Sequence, residues 1–472
     1  MPHLDSLADR FARQQRAARS DQNPGRTVRE RRLLALERLL RDNAPAIADA
    51  VSRDFGHRSP AETRLLELFP SQTAIRHARR HLRRWMRPQP RSVSLWFQPG
   101  RAELRYQPLG AVGIIVPWNY PVFLAIAPLA AALAAGNRVL VKMSEMSPHT
   151  ATLFAELIGR SFAEDELSVV EGDASVAQEF SRLPFDHLLF TGSTAVGRQV
   201  MRAAADNLTP VTLELGGKSP AIIGPGLAST PHFERAVERI IIGKCMNAGQ
   251  TCIAPDYLLL PAGQEQAFTA RARCVVADCY PDIANNADYS TIIDQRHYHR
   301  LCAYVDEARA GGARIVDLAS GAVADPAMRR LPPLALFDVG DELRVMQEEI
   351  FGPLLPIRTY RHLDEAIAFV NSRPRPLALY YFDDDRTNIA RVLDETVSGG
   401  VTINDTILHI AQDDLPFGGV GPSGMGCYHG FEGFQTFSAR KGVFRQSSWS
   451  GIGLFKPPYG VLFDKLTRIM MR

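Results

Sequence analysis

Lysine is nearly absent from this chain: only six of its 54 basic residues are Lys, at positions 142, 218, 244, 441, 456 and 465. Arginine carries the positive charge, and with 51 acidic residues the net charge is only +3, too mild to make nucleic acid the main partner. Cysteine is sparse too. Six in 472 residues, with no Cys-x-x-Cys pair and no Cys/His group at zinc spacing, exclude a disulfide framework and a structural metal, so a reducing compartment is expected. The N-terminus, where Asp5 and Asp9 sit among arginines, has no apolar stretch before a small-residue cleavage site, which points to the cytoplasm. Internal repeats and low-complexity segments are missing. The one long uncharged run, 106–137, has the length of a membrane span. Pro117 and Pro121 interrupt it, its first part is β-branched and its last part is rich in alanine and leucine, so it reads as a buried strand, a loop and a buried helix, with no membrane anchor.

What the chain does have is length and apolar content. At 472 residues and 46% hydrophobic it exceeds one core and calls for two or three domains. The first ninety residues read as helical, with Leu33, Leu36 and Leu40 on one stripe. The basic run 76–87 reads as a solvated helix face rather than a nucleic-acid surface with Trp85 stacking. Strand-like 93–97 and 102–106 flank Pro99-Gly100 and predict a protruding hairpin. Short apolar strands then alternate with helical stretches, at 111–116, 138–142, 167–171, 187–191 and 211–215, the pattern of a doubly wound α/β sheet. A second α/β region has strand candidates at 257–260, 314–317, 333–337, 379–382 and 400–403. In the tail, 434–438 and 442–445 read as strands able to pair with the arm or with another subunit.

Against this background a few residues carry chemistry. Cys252 ends Gly249-Gln250-Thr251-Cys252, and Glu214 lies 38 residues earlier in Leu213-Glu214-Leu215-Gly216-Gly217-Lys218, so a thiol nucleophile and a carboxylate base are implied together. Gly192-Ser193-Thr194-Ala195-Val196-Gly197 follows a strand and opens a helix, where free N–H groups suit a pyrophosphate or simply turn the chain. Lys142 and Glu145 close an earlier strand at the same sheet edge, and an acidic residue there suits ribose hydroxyls. Asn119, between two prolines, is a fixed amide donor suited to an oxyanion or a turn former. Glu349 precedes Phe351-Gly352-Pro353, and Pro416-Phe417-Gly418-Gly419-Val420-Gly421 is a glycine-rich stretch that closes over a site or turns tightly.

Taken in order, Pro-Trp-Asn-Tyr-Pro, Phe-Thr-Gly-Ser-Thr, Leu-Glu-Leu-Gly-Gly-Lys, Gly-Gln-Thr-Cys, Glu-Glu-Ile-Phe-Gly-Pro and Pro-Phe-Gly-Gly-Val-Gly make the chain resemble the aldehyde dehydrogenase superfamily from about residue 30 to 445. Ile253-Ala254-Pro255-Asp256-Tyr257 and Gly424-Met425-Gly426-Cys427-Tyr428-His429-Gly430 resemble its class 3 branch. Trp96 to Arg101 and Leu454 to Gly460 look like the bacterial coniferyl aldehyde dehydrogenases within that branch. The resemblance implies a Rossmann-like cofactor domain over 1–91 and 108–214, a catalytic α/β domain over 215–412, and a β oligomerisation arm with a bridging tail over 92–107 and 413–472 of a homodimer. It implies NAD, or NADP, as cofactor, held by Lys142, Glu145, Gly192, Ser193, Gly197, Leu215, Glu349 and Phe351. Cys252 would attack the aldehyde, Asn119 and the Cys252 N–H would hold the oxyanion, and Glu214 would activate water to release the acid, with Glu349 its rival as base. The implied substrate is an aromatic or cinnamyl-type aldehyde such as coniferaldehyde, going to ferulate, with Tyr120, Phe123 and Tyr380 lining an apolar pocket. The alternatives are a medium- or long-chain aliphatic aldehyde, transfer of the acyl group to coenzyme A, and a thiol hydrolase, which would need a histidine motif the sequence does not show.

Overall fold

A computed structural model describes residues 6–228, 230–319, 321 and 325–471, so Asp5 and the last residue of the tail lie outside the described residues. The chain opens with five helices, α1 (Leu7–Ser20), α2 (Arg26–Asp42), α3 (Ala44–Phe55), α4 (Pro60–Thr63) and α5 (Phe69–Trp85), with a π-helical turn at Arg64–Leu68. The expected leucine stripe of α2 is buried. The basic face of α5 is solvated, with Arg76 donating to Glu37, while Trp85 is 1% exposed against Phe431 and Phe434 and has no free face.

Three sheets follow. β1 (Gln89–Arg91), β2 (Arg101–Pro108), β3 (Ala111–Ile115), helix α6 (Phe123–Ala135), β4 (Arg138–Lys142), α7 (Pro148–Ser161), β5 (Leu167–Val170), α8 (Ala174–Ser181), β6 (His187–Gly192), α9 (Thr194–Ala205) and β7 (Val211–Leu215) come first. Next are β8 (Pro220–Ile223), α10 (Pro231–Cys245), β9 (Tyr257–Pro261), α11 (Glu265–Cys279), α12 (Gln295–Ala310), β10 (Arg314–Asp317), β11 (Leu334–Phe337), α13 (Arg344–Gln347), β12 (Leu354–Tyr360), α14 (Leu363–Asn371), β13 (Ala378–Phe382), α15 (Arg386–Glu395) and β14 (Gly400–Ile403). The tail holds β15 (Gly424–Met425), α16 (Gly430–Thr436), β16 (Ser438–Arg445) and α17 (Val461–Met470). One sheet has the order β15-β7-β6-β3-β4-β5, a second β10-β11-β12-β9-β8-β13-β14, and a third, smaller one β1-β2-β16. From β3 the first sheet grows outward through β4 and β5, then restarts on the other side with β6 and β7, so its switch point lies between β3 and β6. This is the doubly wound α/β organisation expected, with a second α/β sheet and a β arm.

Four details differ from the sequence reading. The arm's first strand is 89–91, not 93–97: β1 and β16 take the two edges of β2, which leaves 95–97 as an exposed 3₁₀ turn without a partner. Of the expected strand 434–438 only Ser438 is one, the first residue of β16, because Phe431 and Phe434, three apart on α16, must both reach Trp85 and Tyr106, a helical spacing. Strands β8 and β12 escaped notice since each carries a proline, Pro220 and Pro356, a residue that argues against a strand interior. Gly424 and Met425, assigned above to the arm and tail, instead pair with β7 at the edge of the six-stranded sheet.

α6 is buried over all thirteen residues, so neither of its ends can turn to water. Each end leaves backbone groups without intrahelical partners. At the N-terminus Glu67 accepts from the N–H groups of Val122 (2.7 Å) and Phe123 (3.2 Å). At the C-terminus, where Gly136 takes the left-handed conformation, the Arg29 guanidinium donates to the carbonyls of Ala134 (3.0 Å) and Ala135 (2.6 Å). Negative charge at the start and positive charge at the end also match the helix dipole. Glu67 is in turn paired with Arg58 at 2.8 Å, and both side chains are fully buried. Glu67→Ala would remove the nearer of two carboxylates beside Arg58, Glu62 being 3.9 Å away, and leave two buried N–H groups without an acceptor. It should lower unfolding free energy by about 3–5 kcal/mol in urea titrations, and Glu67→Gln, which keeps an acceptor for the N–H groups, should lose less.

Candidate active site

The switch point is where the chain places its polar loops. The loop after β3 carries Pro117-Trp118-Asn119, and the end of β6 carries Thr191-Gly192-Ser193. Together with Glu214 on β7, Gly216, Cys252, His297, Arg300, Glu349 and Phe351 they enclose a cavity of about 210 Å³. On the other side of Cys252 lies a larger, mainly apolar cavity of about 670 Å³, walled by Leu66, Tyr120, Phe123, Ile242, Ile253 and Ile410 among others. Cys252, with Leu124, is thus shared between the space at the sheet edge, which carries Asn119, Glu214 and Glu349, and the apolar one.

The segment presenting Cys252 is held from every side. Asn247 and Ala248 take positive φ angles of 51° and 50°, conformations that cost free energy for side chains other than glycine and persist only under surrounding restraint. Glu62 accepts from the Asn247 N–H at 2.8 Å, and the Gln250 side chain donates to the carbonyls of Asn247 and Thr291 and accepts from the Ile293 N–H. Thr251 and Tyr120 share a hydroxyl contact at 2.7 Å, and the Tyr380 hydroxyl donates to the Ile253 carbonyl. Tyr380 therefore supports the loop from beneath and does not line the apolar cavity, unlike Tyr120 and Phe123; its strand β13 is buried throughout.

Asn119 is buried, its amide donating to the Gln250 carbonyl at 3.2 Å and its own carbonyl accepting from Arg58 and Asn247, each at 3.1 Å. One amide hydrogen thus stays available beside Cys252. Burial, followed by the charges of Glu214 and Glu349, raises the Cys252 thiol well above its ordinary value, while its own backbone N–H pulls the other way. Glu214 is buried, and the Cys252 thiol and the Thr191 hydroxyl lie beside its carboxyl without meeting hydrogen-bond geometry. Burial pushes it up to about 8. Glu349 is likewise pushed up to about 8, by burial and then by Asp256, with the Gly217 N–H opposing. It rests against Gly216, where any side chain would collide with its carboxyl. Phe351, at φ 50°, packs edge-on to Trp118 with ring centroids 5.3 Å apart.

The remaining expected residues sit around this centre rather than in it. Ser193 caps α9, accepting from the Val196 N–H, and Gly197 packs its bare α-carbon against Leu215. The Lys142 amine, 1% exposed, donates to the carbonyls of Met143 (2.6 Å) and Gly172 (2.7 Å), leaving one of its three protons, and Glu145 is exposed 4.0 Å from it. The glycine-rich stretch is a tight turn, since a β-carbon at Gly419 would lie 2.0 Å from the Ser423 carbonyl. Four supports went unread in the sequence. Arg58, Glu62 and Glu67 come from the helical first ninety residues and carry no motif. The Lys218–Asp256 pair holds the segment bearing Glu349, with Lys218 also donating to the Val345 and Glu348 carbonyls and Asp256 accepting from the Ile350 N–H. Both of its residues stand inside quoted motifs, so that signal was present. Lys244 is buried with no hydrogen-bond partner among the described residues, and burial lowers it to about 8.

Residues 8–443 match the model of the Aldehyde dehydrogenase family. A probable coniferyl aldehyde dehydrogenase of Pseudomonas aeruginosa is 53% identical over 463 residues, covering 98% of this chain and 96% of the relative. A coniferyl aldehyde dehydrogenase of a Pseudomonas species is 46% identical, covering 99% of this chain and 96% of the relative. Among solved structures, the substrate-bound state of Staphylococcus aureus AldH superposes with a TM-score of 0.93 at 37% identity, covering 99% of this chain and all of the other.

A buried glutamate that is neutral when folded favours the folded state until pH rises through its unfolded value near 4.5, and that advantage is lost by about pH 8. Glu214→Gln removes the loss. The difference in melting temperature between this variant and the parent should therefore grow from pH 5 to pH 8 and level off above; a difference independent of pH would contradict the assigned environment.

Proposed function

The chain belongs to the aldehyde dehydrogenase family, and from that premise we propose how its own residues oxidise an aldehyde to the carboxylic acid. The observation that carries the reading is the position of Cys252 between the two cavities. The aldehyde enters through the apolar cavity and the Cys252 sulfur, as thiolate, adds to its carbonyl carbon, giving a thiohemiacetal whose oxyanion is met by the free Asn119 amide hydrogen and the Cys252 N–H. Each such donor can contribute about 3–4 kcal/mol. A nicotinamide cofactor, when bound, supplies the acceptor for the hydride leaving this carbon, and the product on the protein is a Cys252 thioester. Glu214 takes a proton from water as the water oxygen attacks the thioester carbon; the carbon–sulfur bond breaks, the acid leaves and the thiolate returns.

The residues at the switch point fit such a cofactor. The cavity lies where open α/β sheets bind dinucleotides, and α9 directs its N-terminus there with Ser193 as cap. Gly192, Ser193, Gly197 and Leu215 would shape the phosphate side, Lys142 and Glu145 the ribose side, and Glu349 with Phe351 the nicotinamide side. The exposed Glu145 carboxylate favours a free ribose 2′-hydroxyl over a 2′-phosphate, so NAD is the preferred cofactor.

For the substrate, the apolar cavity with Tyr120 and Phe123, together with the coniferyl aldehyde dehydrogenases among the relatives, supports coniferaldehyde oxidised to ferulate. The arm of β1, β2 and β16, with Leu95, Trp96, Phe97 and Phe444 exposed on it, supports a homodimer. Cytoplasmic residence is proposed on the six free cysteines; among the described residues no helix is long and apolar enough to cross a membrane.

Reduced cofactor is followed at 340 nm with a panel of aldehydes and both cofactors. NAD should be used at higher kcat/KM than NADP, and coniferaldehyde at least about tenfold better than medium-chain alkanals, since a pocket discriminates by about 1–3 kcal/mol per misfit group. No reduction with any aldehyde would sink the reading. Cys252→Ala should abolish turnover. Glu214→Gln should still reduce up to one cofactor per subunit and then slow acid release by about 10²–10⁴-fold; if Glu349→Gln does this instead, the base is Glu349.

A further inference from the structure

Around Glu214 the chain gathers polar groups that the steps above do not use. Thr191 on β6 stands opposite Glu214 in register, and Gly424 on β15 stands opposite it on the other flank, bringing no side chain. Four residues further along, Tyr428 returns to the same region. Gly426 presses its bare α-carbon on Thr212, the Tyr428 N–H donates to the Phe417 carbonyl at 3.0 Å, and the Tyr428 ring is packed edge-on between Phe417 and His429. Tyr428 is 0% exposed and lines neither cavity. Its hydroxyl, the Thr191 hydroxyl and both Glu214 carboxyl oxygens are all buried, and none has a hydrogen-bond partner among the described residues.

Four orphaned polar atoms on Glu214 and the segments flanking its strand are unusual. Each destabilises the fold when left unpaired, and buried polar groups in native proteins are almost always satisfied by protein or by ordered water. Two of them are hydroxyls, which donate; the others are carboxyl oxygens, which accept. The set is complementary.

We propose that Tyr428 is a positioning residue for Glu214: its hydroxyl, with that of Thr191 and one bridging water, donates toward the Glu214 carboxyl and so favours the carboxylate that deacylation requires. The charges of Glu214 and Cys252 both act on the Tyr428 phenol, in keeping with this proximity. The inference rests on the reading of Glu214 as the base, but its test does not depend on turnover.

The infrared carboxyl band that disappears in Glu214→Gln identifies Glu214, and its titration gives the midpoint of that group in the folded enzyme. In Tyr428→Phe, which keeps the ring and removes the donor, the midpoint should move upward by about one pH unit, the ordinary size of a lost hydrogen bond to a carboxylate. Thr191→Val should move it the same way. In steady state, the rise of kcat with pH should shift upward in parallel while KM for the aldehyde stays unchanged. An unmoved midpoint in Tyr428→Phe overturns the proposal, and so does loss of the folded state in that variant by circular dichroism, which would make Tyr428 a packing residue. An enzyme that reduces no cofactor with any aldehyde would overturn the dehydrogenase reading and leave the infrared result to stand by itself.

Discussion

A helix with no access to water sets the terms for the rest of this molecule. α6 is apolar on every face, and its terminal backbone groups can only be satisfied by other parts of the chain. The N-terminal helices supply both remedies: a carboxylate at one end, Glu67, and a guanidinium at the other, Arg29. Because Arg58 neutralises Glu67 and also donates to the Asn119 carbonyl, the solution to a folding problem also fixes the proposed oxyanion donor. These helices are in this sense part of the site, though none of their described residues lines the space beside Cys252 that the cofactor would fill.

The same economy recurs at Cys252. Its segment contains two residues in left-handed conformations; Glu62, Tyr120 and Tyr380 hold it there from three separate elements, and its own Gln250 bonds to Thr291 and Ile293. What results is a thiol whose burial works against ionisation, set beside two carboxyls for which burial does likewise. Three groups that ionise reluctantly are close together, so the charge on any one raises the others. In the proposed step, addition of the thiolate to a carbonyl relieves this, since it replaces a buried thiolate by a neutral sulfur and moves charge to an oxygen facing Asn119.

Placed on the sheet, the two carboxyls are held differently. Glu214 is fixed by strand register between β6 and β15. Glu349 belongs to a connection tied down by the Lys218–Asp256 ion pair and by Arg300 donating to the Ile350 carbonyl. A rigid strand position suits a base that must meet water at one point, and a tethered loop suits a group that borders a bound cofactor.

The sequence alone determined a good deal. Periodicity and proline placement located β3, the Pro117–Pro121 loop and α6, because a strand, a breaker and an alanine-rich helix differ in local preference. The ordered motifs placed Cys252, Glu214, Asn119 and Glu349 in one family of sites. What local pattern could not carry was anything decided by distance in space: that the chain coils from Gly430 to Thr436 to bring two phenylalanines to Trp85, that Tyr380 lies under the cysteine loop rather than in the pocket, and that Arg58, Glu62 and Glu67 secure the centre. Those roles arise from burial, which turns an ordinary charged residue into an obligatory partner, and burial is a property of the folded chain and of no segment taken singly.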